Sequence, residues 1–432
     1  MASCGVRKAW DIVCEIRAAC SNSALHDRAE RRNWPQPAQT FAVKESLVID
    51  ALFSPFEIGG LALRNRIVMS PMTRSFSPGG VPTREVVEYY RRRAEGECGL
   101  IITEGVGVDH PAAIGATTVD DVDIPLISTD EQMAAWREVV DGVHAAGGKI
   151  APQLWHQGVL RKDYTGYGRQ AVSSRPSGLW GPTDRKRSPA LTQEIAERFA
   201  QPTRPMTEED IADVIAAFAR SARNSAAVGF DAIALHGAHG YLVDTFLWEE
   251  TNQRTDRWGG DHKGRTTFAV ELVKAVRREI PAEMPVLFRW SQYKQQDFDA
   301  RLATTAAELE DVLGPISDAG VDIFDVSIRR FDMPAELDDS DRTLAAWTKA
   351  VTGKPTIAVG SVSLSTTLYE SLGGLESNVN SNVELAAEMI ERGEFDLLAV
   401  GRMMLANPDY ARRIRTRQPL AKFDATILKT LY

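Results

Sequence analysis

From Leu47 onward the chain alternates between two hydrophobic patterns. Short continuous apolar runs recur at Arg66–Pro71, Leu100–Glu104, Lys149–Leu154, Ala232–Leu235, Val286–Trp290, Ile323–Val326, Thr356–Val359 and Leu397–Val400. Most lack the apolar–polar alternation of a strand with one wet face, so they read as parallel strands buried on both faces. Between them apolar positions recur with helical spacing, at Arg84–Ala94, Asp130–Ala146, Glu208–Ala227, Lys263–Glu279, Ala306–Ala319, Arg342–Val351, Val383–Glu391 and Asp409–Arg417. Ser128 with Glu131 reads as a capping box, and Thr207 with Asp210 as a looser one.

Strict strand–helix alternation of this length predicts an α/β fold of the (β/α)8 TIM-barrel class. No Gly-x-Gly-x-x-Gly follows the first strand, which disfavours a Rossmann half. Ahead of the barrel, Leu52–Leu63 has the pattern of a hairpin turning at Gly59-Gly60, placed to cap the amino-terminal end. Two connections are long. His156–Met206, after the third strand, is expected to be a lid, and Ser361–Asn382, with Gly373-Gly374, a surface excursion. Residues 1–45 mix charged and small side chains around a Pro35-Gln-Pro37 break and read as a flexible N-terminal extension, leaving residues 46–432 as one barrel domain.

Composition narrows the function classes. A net charge of −9 argues against nucleic acid or anionic membrane as partner. No stretch approaches the ~18 apolar residues of a membrane span, and there is no apolar core of signal-peptide length. Cys4, Cys14, Cys20 and Cys98 show no CxxC spacing. They read as free thiols in a reducing, cytoplasmic setting and offer no iron–sulfur ligand set.

Candidate chemistry concentrates at the carboxyl ends of the strands, where barrels of this class carry their active sites. The most informative stretch is His236-Gly-Ala-His239-Gly-Tyr241, which ends the fourth strand in a chain with only 7 histidines. Two imidazole donors and a phenol in this position suit binding an oxygen and delivering a proton. The other ends read Ser70-Pro71-Met72-Thr73-Arg74, Glu104-Gly105, Gln153-Leu154-Trp155-His156, Arg289, Ser327, Gly360-Ser361 and Gly401-Arg402. Only the sixth, Ser327, shows no distinctive feature.

From about Leu52 to Tyr410 the chain resembles the old yellow enzyme family of FMN-dependent ene-reductases. The resemblance rests on Arg64-Asn-Arg-Ile-Val-Met-Ser-Pro-Met-Thr73, Tyr89-Tyr-Arg-Arg-Arg93, Leu100-Ile-Ile-Thr-Glu-Gly105, Gly147-Gly-Lys-Ile-Ala-Pro-Gln-Leu-Trp-His156, the His236–Tyr241 string and Asn252-Gln-Arg-Thr-Asp256. It implies tightly bound, non-covalent FMN, with NADPH or NADH as reductant. Pro71 and Met72 would lie along the flavin, Thr73 would bond the ring carbonyl beside the reactive nitrogen, and Gly105 would let the backbone approach closely. Gln153 would meet the pyrimidine edge, and Arg289, which when buried needs an anion, would find it in the reduced flavin or in a protein carboxylate. Gly360, Ser361, Gly401 and Arg402 end the strands whose loops form the common barrel phosphate site.

On the substrate side, the resemblance implies that His236 and His239 donate to the carbonyl oxygen of an enone-type small molecule. Tyr241 would protonate its α carbon, and Trp155 would form a pocket wall or simply pack. The expected cycle is ping-pong reduction of an activated C=C bond, by a monomer or small homo-oligomer. Arg254 and Asp256 are expected to pair and brace the loop carrying Tyr241. Ser327–Pro334, and Ser291-Gln292 after the active-site Arg, depart from the yeast and plant members and resemble a bacterial subgroup. Two alternatives stand beside this reading: a metal-dependent barrel hydrolase with His236 and His239 as ligands, and a flavin-binding barrel without alkene turnover. A zinc site wants three or four protein ligands, and the strand ends supply few beyond these two.

Overall fold

The computed structural model describes residues 49–432 apart from 116–122, 164, 169, 190 and 373–374. The N-terminal extension, Cys4, Cys14, Cys20 and Gly373-Gly374 lie outside the described residues. The first two strands, β1 (Phe56–Ile58) and β2 (Leu61–Leu63), form an antiparallel hairpin. Eight more follow: β3 (Ile67–Met69), β4 (Leu100–Gly107), β5 (Ile150–Trp155), β6 (Ile233–His236), β7 (Val286–Trp290), β8 (Ile323–Ser327), β9 (Thr356–Val359) and β10 (Leu397–Val400). They close into one barrel in the order β10-β3-β4-β5-β6-β7-β8-β9, every pairing parallel.

The apolar runs are continuous because the two faces of each strand enter different cores. Val68, Leu100, Ile102, Ala151, Ala234, Leu287, Ile323, Ile357 and Ala399 fill the barrel together with Phe56, Leu61 and Leu63 of the hairpin. Ile67, Met69, Ile101, Leu154, Ile233 and Leu235 belong instead to the core shared with the outer helices. Each such side chain, when fully buried, contributes about 1.5–3 kcal/mol. The hairpin closes the amino-terminal mouth as expected. Gly59 takes a positive φ of 54°, and the Gly60 amide donates to the Glu283 carbonyl just ahead of β7, at 2.6 Å.

The outer helices are α1 (Arg84–Glu95), α2 (Asp130–Ala145), α3 (Glu208–Val228), α4 (Thr267–Glu279), α5 (Ala306–Asp318), α6 (Leu344–Thr352), α7 (Val383–Glu391) and α8 (Tyr410–Arg415). Helix α1 shows the pattern behind them: Val86, Tyr89, Tyr90, Arg93 and Ala94 share its buried face. The expected helix over Lys263–Glu279 is broken at Thr266 into His262–Arg265 and α4. The box at the start of α2 sits one residue later than expected. Thr129 caps Gln132, because Gln132 faces the core and its Oε1 accepts from the Ser128 and Thr129 amides. Thr207 with Asp210 forms a full box on α3, and Thr305 with Glu308 forms another on α5.

Both long connections are folded. In the lid, Arg161 is buried and donates to the carbonyls of Ile114, Thr165, Gly168 and Ala171. Val159, Leu160, Trp180, Leu191, Ala196 and Phe199 make a small separate core that packs against Tyr241. The connection after β9 exposes Leu368 and Leu375, as a surface excursion would, but its inner side wraps the Arg402 guanidinium. Among the described residues no helix is long and apolar enough to cross a membrane.

The shifted cap yields a clear expectation. Thr129→Ala should destabilise the protein by about 1 kcal/mol, while Glu131→Ala should be close to neutral; chemical-denaturation midpoints of the two variants check the order.

Candidate active site

Parallel pairing brings the polar strand ends together. Gln153 pairs with Ala234 across β5 and β6, His236 with Arg289 across β6 and β7, and Arg289 with Asp325 across β7 and β8. The aromatic side chains cluster on this rim. The Tyr241 ring lies 4.9 Å from both Trp155 and His236, edge-on to each, and the His236 and His239 rings are 5.2 Å apart. Trp155 is buried against Gly105, where a Cβ would come within 2.4 Å of the indole. The glycine therefore admits the tryptophan; β4 runs on to Gly107, so Gly105 lies within the strand rather than at its end.

Both histidines of the string are buried. Desolvation, with the Arg289 cation nearby, holds His236 well below 6.5. Burial, then His236, Arg289 and Lys294, does the same to His239. Each imidazole is therefore neutral and donates through one nitrogen. The Ala238 amide donates to His236 Nδ1 at 3.4 Å, which leaves the proton on Nε2. His239 sits in the left-handed region at φ 67°, with Nε2 2.8 Å from Ser327 Oγ and its ring stacked on Tyr293.

Ser327, featureless in the sequence, is a hub. It accepts from Arg289 Nη2 at 3.2 Å and lies 3.4 Å from the Tyr293 hydroxyl, as well as meeting His239. Arg289 finds its anion within the protein: Asp325 Oδ2 lies 2.7 Å from Nη1, and both side chains are buried. Of the two anions expected for it, this is the protein carboxylate. Burial pushes the Asp325 carboxyl up, with Arg289 opposing. Among the buried polar atoms here without a hydrogen-bond partner are Gln153 Nε2, Arg289 Nε and Trp155 Nε1, and the Asp325 Oδ1 acceptor.

The Pro71–Ser75 turn is held by Glu104, whose Oε2 accepts from the Arg74 and Ser75 amides at 2.8 and 3.0 Å. Thr73 is exposed at its crest. Gly360 and Ser361 end β9, and Gly401 and Arg402 end β10, so these pairs are neighbours on the rim. Ser361 Oγ donates to the Arg329 and Thr366 carbonyls, and Arg402 donates to the Thr366 and Thr367 carbonyls. Burial lowers Arg402 to about 10. Arg254 pairs with Asp256 but also reaches the Pro176 and Met206 carbonyls, so the pair braces the lid rather than the Tyr241 loop. Among the described residues no three His, Cys, Asp or Glu side chains converge as a metal-ligand set.

The Tyr241 loop is braced instead by Ser291–Gln296, of which the sequence reading singled out only the first two residues. Ser291 Oγ accepts from the His239 amide at 3.0 Å, and a parallel bridge joins His239 to Lys294. Lys294 pairs with Asp244 at 2.7 Å, both side chains fully buried, and Asp244 also accepts from the Gly240 amide. A polar run directly after an apolar strand was the available signal, but nothing in it names these partners.

The scan against known families matches residues 51–421 to the NADH:flavin oxidoreductase / NADH oxidase family. The chain is 31% identical over 384 residues to 12-oxophytodienoate reductase 2 of Arabidopsis thaliana, covering 88% of this chain and 92% of that one. It is 38% identical over 239 residues to the metal reductase of Desulforamulus reducens, which takes in 55% of this chain but only 32% of that much longer protein. Among solved structures it is similar to the old yellow enzyme homologue of Zymomonas mobilis, at 25% identity and TM-score 0.69, over 88% of this chain and 96% of that one. Morphinone reductase in complex with tetrahydroNAD matches at 27% identity and TM-score 0.68, over 87% of this chain and 93% of that one.

Two expectations follow from the buried ionisable groups. In the unfolded chain His236 and His239 regain values near 6.5, whereas folded they lie well below it. The folded state thus binds fewer protons in that window, so stability is fully present above about 6.5 and is lost as pH falls. Thermal unfolding from pH 7.5 to 5 should show the decline, and the His236→Asn/His239→Asn variant should show a shallower one. Asp244→Ala, by stranding Lys294, should cost about 3–5 kcal/mol; Asp244→Leu with Lys294→Met should recover much of that loss, as read from denaturation curves.

Proposed function

Because the chain belongs to the NADH:flavin oxidoreductase / NADH oxidase family, which includes the old yellow enzymes, we propose that this NAD(P)H:flavin oxidoreductase reduces the C=C bond of enone-type small molecules. The observation that carries the reading is the rim cluster in which Trp155, His236, His239 and Tyr241 meet ring against ring. It combines a neutral donor to an oxygen with a phenol beside it.

The residues fit FMN. The unmatched buried donors of Gln153 and Arg289 would suit a polar ring edge, and the exposed Thr73 hydroxyl would suit a ring carbonyl. The neighbouring Gly360-Ser361 and Gly401-Arg402 ends suit a phosphate, in keeping with the barrel phosphate site. When bound, FMN supplies the hydride chemistry. NADPH and NADH both serve this reading as the source of reducing equivalents.

What the protein itself does follows from its protonation states. His236, carrying its proton on Nε2, donates to the substrate carbonyl oxygen and stabilises the negative charge that develops there. His239 would donate to the same oxygen from Nδ1–H, with its Nε2 accepting from the Ser327 hydroxyl. Tyr241 delivers its phenolic proton to the α carbon. Trp155 and the lid core exclude water from the space next to the Tyr241 ring.

The purified protein should show flavin absorption that bleaches on anaerobic addition of NADPH or NADH and returns on addition of 2-cyclohexenone. Flavin that bleaches with nicotinamide but stays bleached across a panel of enones would overturn the alkene-reductase reading and leave a flavin oxidoreductase of other acceptor.

A further inference from the structure

Gln295 is bonded to the hydroxyl assigned above as proton donor. Its Nε2 donates to Tyr241 Oη at 2.7 Å. The backbone of Gln295 is pinned on both sides. Its amide donates to the His239 carbonyl at 3.2 Å, and its carbonyl accepts from the Ser188 amide of the lid at 2.8 Å. The next residue, Gln296, donates from Nε2 to the Gly240 carbonyl at 3.3 Å. Tyr241 and Gln295 are thus attached to two loops that are themselves sewn together, and the half-buried Gln295 side chain has little freedom to leave the phenol.

An amide NH2 donates and cannot accept. The bond from Gln295 therefore occupies a lone pair of the Tyr241 oxygen and leaves the phenolic proton out of this bond. It also places a donor on the atom that becomes negative when that proton departs. Both effects favour transfer to substrate.

Building on the assignment of Tyr241 as proton donor, we infer that Gln295 is a positioning residue for the protonation step, orienting the Tyr241 O–H toward the substrate α carbon and stabilising the phenolate left behind. In that step the Tyr241 O–H bond breaks and a C–H bond forms at the α carbon. The hydride delivered to the β carbon comes from the reduced cofactor, and solvent returns the proton to the phenolate. Gln295 exchanges no atoms.

The test is stopped-flow kinetics on the FMN-loaded enzyme, with the two half-reactions separated, for Gln295→Met, Gln295→Glu, Tyr241→Phe and the double variant Tyr241→Phe/Gln295→Met. Methionine keeps the length of the side chain and removes the donor. Flavin reduction by NAD(P)H, flavin content and binding of a simple phenol should be unchanged in Gln295→Met. Reoxidation by 2-cyclohexenone should slow about tenfold, the worth of one neutral hydrogen bond. Gln295→Glu should slow it further above neutral pH, since a carboxylate would accept the phenolic proton and turn it from the substrate. Tyr241→Phe should slow reoxidation on the order of a hundredfold, and adding Gln295→Met to it should have no further effect.

If Gln295→Met reoxidises at the parent rate while Tyr241→Phe is slow, the inference fails and the proton-donor assignment survives. A further tenfold loss in the double variant would also overturn it, by showing an effect that does not pass through Tyr241. If Tyr241→Phe itself reoxidises at the parent rate, the proton-donor assignment is wrong, and the inference falls with it. Should Gln295→Met lose flavin or fold poorly, the order of Gln295→Glu relative to the parent enzyme decides the matter alone.

Discussion

Closure of the parallel barrel is the constraint from which the other features follow. A closed ring of parallel strands has no edge, and here its inside is filled by Val68, Leu100, Ile102, Leu287, Ile323 and Ile357 while its outside is sheathed by helices. Polar groups are costly anywhere along such strands except at their ends. The hairpin of β1 and β2 occupies the amino-terminal mouth, so the carboxyl ends are where polar side chains gather. His236, Arg289 and Asp325 are register partners across β6, β7 and β8, with Gln153 on the adjoining β5 and Ser327 two residues beyond Asp325 on the same rim.

Once crowded there, these groups determine one another's state. Arg289 is matched by Asp325, reaches Ser327, and helps burial keep both histidines uncharged. A neutral imidazole donates one hydrogen bond without bringing a competing cation, which suits an oxygen acceptor beside an electron-rich cofactor. The buried Nε2 of Gln153 and Nε of Arg289 are among the groups this mutual satisfaction leaves over. They are also the groups a flavin edge would complete.

The left-handed backbone at His239 has the same origin. Non-glycine residues in that region are strained, and the strain persists only where surroundings hold it. Ser291 binds the His239 amide, Gln295 binds its carbonyl, and the Lys294–Asp244 pair anchors the following glycine through its amide. The segment after β7 therefore shapes the turn that aims Tyr241, though it lies fifty residues away in sequence and on another strand end.

The sequence by itself determined the barrel, the hairpin cap and the identity of the rim residues. Buried parallel strands leave a distinctive apolar run, and the strand ends that follow are read off directly. Strand limits agreed closely except at β4, where pairing with β5 shifts register past Ile102 and carries the strand on through Gly105. What only the tertiary structure decided is which polar groups satisfy which. Asp325 as the partner of Arg289, Ser327 as the hub, Gln132 rather than Glu131 in the α2 cap, Arg254 on the lid and Gln295 on Tyr241 all depend on side chains meeting across distant segments. Periodicity reports how a residue faces its own element. It carries no information about a hydrogen-bond partner supplied by another, because that choice is made by three-dimensional distance and by the need to leave no buried polar atom unmet.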